Sequence, residues 1–423
     1  MTILWGLLGM TVVLGIAYLL SSDRQAINFR TIIGGLAIQL LFAFLVLYSD
    51  TGRWILEQFT GLVNQVIGFA GEGINFLFGG LFEAEGVGTV FAFEVLTVVI
   101  FFSSLISVLY YLGIMQRIIN SIGGALAKLL GTSRPESLSA AANIFVGQTE
   151  APLVVKPFLP QMTRSELFAV MTGGLASVAG SVLIGYSLLG IPLEYLLAAS
   201  FMAAPSGLVL AKIMLPETDP QATSDEREFQ MDEDQESYNV IDAAARGAST
   251  GLQLALNIGA MLLAFIALIA LLNGILGGVE SGINGSVNYM LSLFGSDSSI
   301  NIQGLTLENI FGILFSPLAF AIGVPWSEAF QAGSFIGQKL ILNEFVAYAA
   351  FAPEIDSLDP KTVLVVSFAL CGFANVSSLG ILLGGLGKLA PSRRGDIAQL
   401  GLKAVMAGML ASLLNASIAG MFF

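Results

Sequence analysis

Eight continuous apolar runs, at about 3–20, 31–49, 92–114, 166–190, 193–214, 249–276, 362–387 and 400–422, constrain this chain more than any other feature. Each can cross the hydrocarbon core of a bilayer, which takes about 20 residues of helix. No water reaches that core to satisfy backbone N–H and C=O groups, so such a chain folds into helices that close their own hydrogen bonds. Composition agrees: 55% of the 423 residues are hydrophobic and 11% are charged, against roughly 25% charged in soluble domains. Spans and short connections use up the length, which makes an all-α polytopic membrane unit with no large soluble domain. The first run, Met1 to Leu20, lacks the basic leader and small-residue cleavage site of a secretory signal and reads as span one.

Composition also excludes chemistry. The chain has no histidine, so neither a His-ligated metal site nor a Ser-His-Asp triad can be built. Cys371 is the single cysteine, which rules out an intramolecular disulfide. The net charge of −13, much of it between Asp225 and Glu236, argues against nucleic acid as a partner. The spans hold neither the paired aspartates of intramembrane proteolysis nor an Asp-rich metal motif. Gly384-Gly385-Leu386-Gly387-Lys388-Leu389 lacks the hydroxyl residue that follows lysine in a phosphate-binding loop. An enzyme is not expected.

Two further apolar regions, about 137–162 and 305–350, do not read as simple spans. The first carries Gln148, Thr149, Glu150, Pro152, Lys156, Pro157 and Pro160 in quick succession; the second is too long for one crossing and is interrupted by Gly323-Val324-Pro325, a turn signal. Both read as re-entrant hairpins. With the N-terminus outside, fourteen of the lysines and arginines, from Arg24 and Arg30 to Arg393, Arg394 and Lys403, fall on the cytoplasmic side, while Arg53 and Lys361 fall outside. Treating either hairpin as a crossing scatters them. The first hairpin therefore opens from the cytoplasm and the second from outside, and hairpin, span, span at 137–214 recurs inverted at 305–422. Inverted repeats with broken helices mark secondary transporters, with the binding site near the midplane where the breaks meet. Gly173 to Ser181 and Phe373 to Ser378 place small and hydroxyl residues where such breaks are expected. Residues 54–85 read as an interfacial helix, 116–131 as a cytoplasmic amphipathic helix, and 215–246 as a polar acidic loop.

The candidate site residues follow from what a membrane interior penalises. A carboxylate facing lipid costs a few kcal/mol, so Glu150 and Glu344 should face a cavity or a partner; an ion pair with Lys156 is the alternative for Glu150. Gln148 and Thr149 flank Glu150, and Asn143 precedes them. Asn375 and Ser378, three residues apart, can point at one ligand if helical geometry resumes there. Ser177 and neighbouring carbonyls of an unwound span suit a hard cation. Glu328, beside the Gly323-Val324-Pro325 turn, reads as an acid capping a helix N-terminus. Two carboxylates and several amides suit hydroxyl and ring N–H groups, whereas an anionic substrate would want arginine, which no proposed break contains. The residues alone therefore describe a neutral, polyhydroxylated ligand. A pore is the competing reading; an inverted repeat with two buried acids favours alternating access.

At these residues the sequence resembles the concentrative nucleoside transporter family. Gly147-Gln148-Thr149-Glu150-Ala151-Pro152 is similar to that family's first-hairpin motif, Gly337 with Lys339 to Tyr348 to its second-hairpin signature, and Phe373-Ala374-Asn375 with Ser377-Ser378 to its discontinuous span. The resemblance runs through nearly the whole chain and is to bacterial, sodium-coupled members. It implies that Gln148, Thr149 and Glu150 contact the nucleobase, that Glu344, Asn375 and Ser378 hydrogen-bond the ribose, and that Val182 and Phe373 give apolar contact. It also implies a sodium site of the Asn143 and Ser177 side chains with the Val146 and Val178 carbonyls. Some proton-coupled members are similar here but carry Ser at the position of Asn143; the resemblance therefore favours sodium, with a proton-coupled symporter as the alternative. The implied protein is a homotrimeric elevator-type importer of uridine-like pyrimidine nucleosides, and of purine ones, across the bacterial inner membrane, with both termini periplasmic. Its scaffold would comprise 1–115 and 247–280, and its transport part 116–214 and 300–423, with the acidic loop 215–246 between them.

Overall fold

The computed structural model describes residues 2–82, 90–219, 237–293 and 303–423. The acidic run expected at 225–236 lies outside these residues. Among the described residues the secondary structure is helical throughout.

Helices α1 (Thr2–Leu19) and α2 (Phe29–Ala43, continued by a wider turn at Phe44–Tyr48) are the first two spans. The long helix α3 (Asp50–Phe82) covers the expected interfacial segment and is not among the helices apolar enough to cross. Span three is α4 (Phe91–Tyr111), and Gly113 at φ 73° turns the chain into amphipathic α5 (Ile114–Leu130). The first hairpin begins with α6 (Arg134–Ala142), started by a capping box of Ser133 and Glu136. Its return limb is not an α-helix but short 3-10 turns at Ala151–Val155 and Leu159–Gln161. Pro152, Pro157 and Pro160 explain this, since each removes a backbone donor that an α-helix needs.

The next span is α7 (Arg164–Ala176) and α8 (Gly180–Leu188), separated by extended backbone at Ser177. It is followed by α9 (Leu193–Met214). The expected span at 249–276 is the middle of a far longer helix, α10 (Val240–Leu293), of 54 residues. No Pro interrupts it, and helix continues through flanks too polar for an apolar-run criterion to register.

The second half opens with α11 (Leu307–Ala321) and α12 (Trp326–Ile341), which meet at 117° across Gly323-Val324-Pro325. Gly323 at φ 116° makes this turn. Glu328 stands in the first turn of α12 and accepts from the Asp359 N–H at 3.1 Å, so it serves the helix end. A second break, at Leu342–Asn343, was not expected. There α13 (Glu344–Phe351) starts with Asn343 as its N-cap, accepting from Val346 N–H at 2.8 Å. The span predicted at 362–387 is α14 (Pro360–Leu370) and α15 (Ser378–Leu389), and α16 (Arg394–Ala419) ends the chain. Among the described residues seven helical segments are long and apolar enough to cross, the bent pair α11/α12 would make an eighth if counted as one span, and α14 and α15 are shorter apolar helices.

Contacts sort the chain ends. Gly6 lies against Met421, and Trp5 Nε1 donates to Phe320 O at 2.7 Å, so the start of α1 and the end of α16 share one face. At the opposite face Ser22 N–H bonds Met214 O (2.9 Å), Arg30 bonds Lys128 O (3.1 Å) and Arg164 bonds Gln399 (3.2 Å). Basic residues thus gather at one end, while Lys361 lies over the Trp5 ring at the other. The core is nearly dry in α7, α9, α14 and α16, whose residues are almost all buried. A buried ion pair, Lys212–Glu136 at 2.7 Å, ties α9 to the base of hairpin one.

Candidate functional site

Both broken spans are held open by backbone bonds to the hairpin of their own half. Gly180 N–H donates to Phe145 O (3.0 Å) in the first, and Val376 N–H to Leu340 O (3.0 Å) in the second. Phe373 N–H donates to Ser177 O at 3.1 Å, which joins the two breaks to each other. Gly372, at φ 152°, is packed so closely there that a Cβ would lie 2.7 Å from Ser412 Oγ and 3.0 Å from the Ala176 carbonyl. Backbone groups freed by unwinding are thereby satisfied in a region without water.

Lys339 completes this arrangement. Its side chain is fully buried and donates to Ala369 O (2.8 Å) and Ser412 Oγ (3.0 Å), so it caps the C-terminal end of α14 rather than pairing with Glu344.

Where the broken spans, the tip of hairpin one and the Leu342–Asn343 break meet there is a cavity of ≈ 280 Å³. All eight candidate substrate residues, Gln148, Thr149, Glu150, Val182, Glu344, Phe373, Asn375 and Ser378, line it. Glu344 is 5% exposed and receives Tyr186 O–H on one oxygen (3.1 Å) and Asn375 Nδ2 on the other (3.0 Å). The Asn375 amide oxygen accepts from Ser377 Oγ (2.7 Å) and Ser378 N–H (2.9 Å). Ser378 Oγ gives its proton to Phe373 O (2.6 Å), leaving it to accept from Gln148 Nε2 at 3.4 Å. That last contact bridges the two halves of the repeat. It leaves the buried Gln148 Oε1 unpartnered, as is the buried Nδ2 of Asn343 in the same cavity. Glu150 is half-buried, accepts from Gly147 N–H at 3.5 Å, and makes no ion pair with Lys156 among the described residues. Thr149 is exposed to the cavity.

The cavity is therefore walled by fixed acceptors and donors of mixed sign with apolar surface from Val182 and Phe373. Such a wall takes an uncharged ligand rich in hydroxyl and ring N–H groups. Sequence reasoning missed several contributors. Tyr186, one helical turn beyond Val182 on α8, anchors Glu344 and carries no sequence signal. Asn343 was visible only as the residue before Glu344. Thr250, Gln253 and Asn257 of α10 also line the cavity, and they are the hydrogen-bonding residues that interrupt an apolar run.

The four candidate cation ligands lie beside the cavity at hairpin one and the α7/α8 break. Asn143 caps the end of α6 and is 1% exposed. Its Nδ2 donates to Ser139 O (2.9 Å), which fixes the amide so that Oδ1 is buried with no partner. Ser177 Oγ donates to Gly173 O (2.9 Å) and keeps its lone pairs. Val146 and Val178, both buried, flank them in non-helical backbone.

Helical spans wrapped around an internal cavity, with broken helices and hairpins at its wall, define a multi-pass membrane transporter. Residues 195–420 match the family described as Na+ dependent nucleoside transporter C-terminus, 8–81 its N-terminus, and 92–192 a nucleoside recognition (Gate) family. The chain belongs to the Na+ dependent nucleoside transporter family. It is 58% identical over 422 residues to the uncharacterized transporter YutK of Bacillus subtilis, covering 100% of both chains. To the nucleoside permease NupC of Helicobacter pylori it is 48% identical over 429 residues, covering 99% of this chain and 97% of the relative. Among solved structures it is similar to CNTnw in an inward-facing substrate-bound state, with TM-score 0.91, 54% identity, and 100% and 98% of the two chains covered. A CNTnw variant in an outward-facing state gives TM-score 0.90 at 52% identity, with the same coverage.

Proposed function

We propose that this transporter is a sodium-driven symporter that imports pyrimidine and purine nucleosides across the bacterial inner membrane. The observation that carries the reading is the cavity itself. Hairpin one, hairpin two and both broken spans converge on it with two carboxylates and no arginine. Gln148, Thr149 and Glu150 address the base; Glu344, Asn375 and Ser378 address the ribose; Val182 and Phe373 pack against the ligand.

Sodium suits the orphaned Asn143 Oδ1, a neutral oxygen already desolvated and aimed by its own amide. Asn143, Ser177 and the carbonyls of Val146 and Val178 would hold the ion, which supplies positive charge at the C-terminal end of α7. Filling that position orders the hairpin-one tip, so sodium and nucleoside each raise the other's affinity by one shared factor. The scaffold comprises 1–115 and 247–280, with 116–214 and 300–423 as the moving transport part of a homotrimeric elevator. The gathering of basic residues at one molecular end supports a cytoplasmic assignment for that end and periplasmic termini.

The test is uptake of labelled uridine and adenosine into proteoliposomes under an imposed sodium gradient and, separately, a proton gradient. Accumulation driven by sodium alone is expected. Accumulation driven by protons and indifferent to sodium would overturn the coupling assignment, and failure to take up any nucleoside would overturn the reading of the cavity.

A further inference from the structure

We propose that Thr250, Gln253 and Asn257 of α10 form a third wall of the cavity that discriminates between nucleobases; this rests on the reading of the cavity as the nucleoside site. From Gly251 to Leu272 the helix contains only two side chains able to hydrogen-bond, Gln253 and Asn257, with Thr250 one turn earlier. An amide left facing lipid is costly, so amides in a span face a partner or a cavity. Here all three residues line the cavity, are exposed within the fold, and bond to no other described residue.

Their direction is set by the adjacent face of the same helix. Gly247 and Gly251 lie directly on α4: a Cβ on Gly247 would come within 2.6 Å of Ser103 O, and one on Gly251 within 2.7 Å of Ile100 Cα. Ser104 Oγ adds a bond to Ala244 O at 2.9 Å. This small-residue seam locks the rotation of α10, and the spacing of three and four residues puts Thr250, Gln253 and Asn257 on one stripe beside it.

The chemistry of the stripe differs from that of the hairpin walls. Glu344, Asn375 and Ser378 already bond to one another, and a carboxylate with hydroxyl neighbours suits sugar hydroxyls, which both donate and accept and are common to all nucleosides. A side-chain amide instead presents one acceptor beside one donor. That pattern is complementary to the edge of a base, where uracil and adenine offer different orders of donor and acceptor. Buried polar groups in a site discriminate by being left unpaired when the wrong partner arrives.

The test uses three shape-conserving variants, Thr250→Val, Gln253→Met and Asn257→Leu, in full-length protein in proteoliposomes. The readouts are kcat/KM for uridine, adenosine and 2′-deoxyuridine, with gel filtration to verify folding. Because these side chains bond to none of the other described residues, their removal should leave the elution profile unchanged. The uridine-to-adenosine ratio should shift by roughly 3- to 10-fold in the Gln253 or Asn257 variant, the loss of one hydrogen bond. The uridine-to-2′-deoxyuridine ratio should stay within about twofold, since no base contact differs between those substrates. An unchanged base ratio in all three variants, or an equal fall for every substrate, would overturn the proposal. A Glu344→Gln variant tested alongside separates the two readings. Impaired transport there with unchanged base ratios in the α10 variants removes only the role of α10, whereas full-rate transport by Glu344→Gln removes the cavity assignment.

Discussion

Replacing Glu344 by Gln tests the proposed ribose contact at the level of single lone pairs. In the unmodified protein the two carboxylate oxygens accept from Tyr186 O–H and Asn375 Nδ2. Glutamine can keep both contacts: its Oε1 accepts from Asn375, and its Nε2 donates to the Tyr186 oxygen once the phenolic proton rotates away. Shape and network survive, so thermal stability in detergent should change by less than about 1 kcal/mol. What is lost is the charge and the second acceptor that a sugar hydroxyl would use. A hydrogen bond to a charged group is worth about 1.5–3 kcal/mol, which corresponds to about a 10- to 150-fold weaker nucleoside affinity. The assay is equilibrium binding of uridine and of 2′,3′-dideoxyuridine to both proteins, a double-mutant cycle with the ligand as one partner. The penalty for the substitution should fall below about threefold with the dideoxy ligand, because no hydroxyl remains to miss the carboxylate. Equal penalties for the two ligands would refute the assignment of Glu344 to the ribose, and an unfolded variant would refute the account of the network.

Three other outcomes are expected. Asn143→Ala removes the orphaned Oδ1, so uridine binding measured with and without sodium chloride should become the same; retained sodium dependence would place the ion elsewhere. Glu136→Ala strands the buried Lys212 ammonium, which sits 2.7 Å from its partner, and should destabilise the protein by about 3–5 kcal/mol in a thermal inactivation series. An unchanged midpoint would mean that the pair is solvated. Gly372→Ala places a Cβ 2.7 Å from Ser412 Oγ at φ 152°, so binding and thermal stability should both fall, at a cost of about 1–3 kcal/mol; an unaffected protein would show that this junction relaxes freely.

The apolar runs made the spans legible, because hydrocarbon demands length and composition together. Charge sidedness exposed the hairpins, and the Asn375, Ser377 and Ser378 cluster marked the break that splits the span at 362–387 into α14 and α15. The second hairpin was legible only in part. Gly323-Val324-Pro325 signals its sharp turn, but the break that presents Glu344 to the cavity falls at Leu342–Asn343, where neither Gly nor Pro announces it. Tertiary contact forms that break: Leu340 O is taken by Val376 N–H of the other broken span. The length of α10 was hidden for a different reason, since its polar ends continue the helix without continuing the apolar run. Tyr186 could not be found at all, because an aromatic in a membrane helix looks like packing until a carboxylate is placed beside it.

The mutual bonding of Glu344, Asn375, Ser378 and Gln148 has a consequence for the entropy of binding. Each of these side chains is already confined to one rotamer by its neighbours, so that loss of freedom is incurred when the protein folds rather than when the ligand arrives. Immobilising a flexible side chain at a binding interface costs about 0.5–1.5 kcal/mol, and four of them spare the ligand about 2–6 kcal/mol. Gln253 and Asn257, bonded to none of the other described residues, receive no such advance ordering. One wall of the cavity is thus rigid before its cargo enters, and the facing wall still has its conformational freedom to lose.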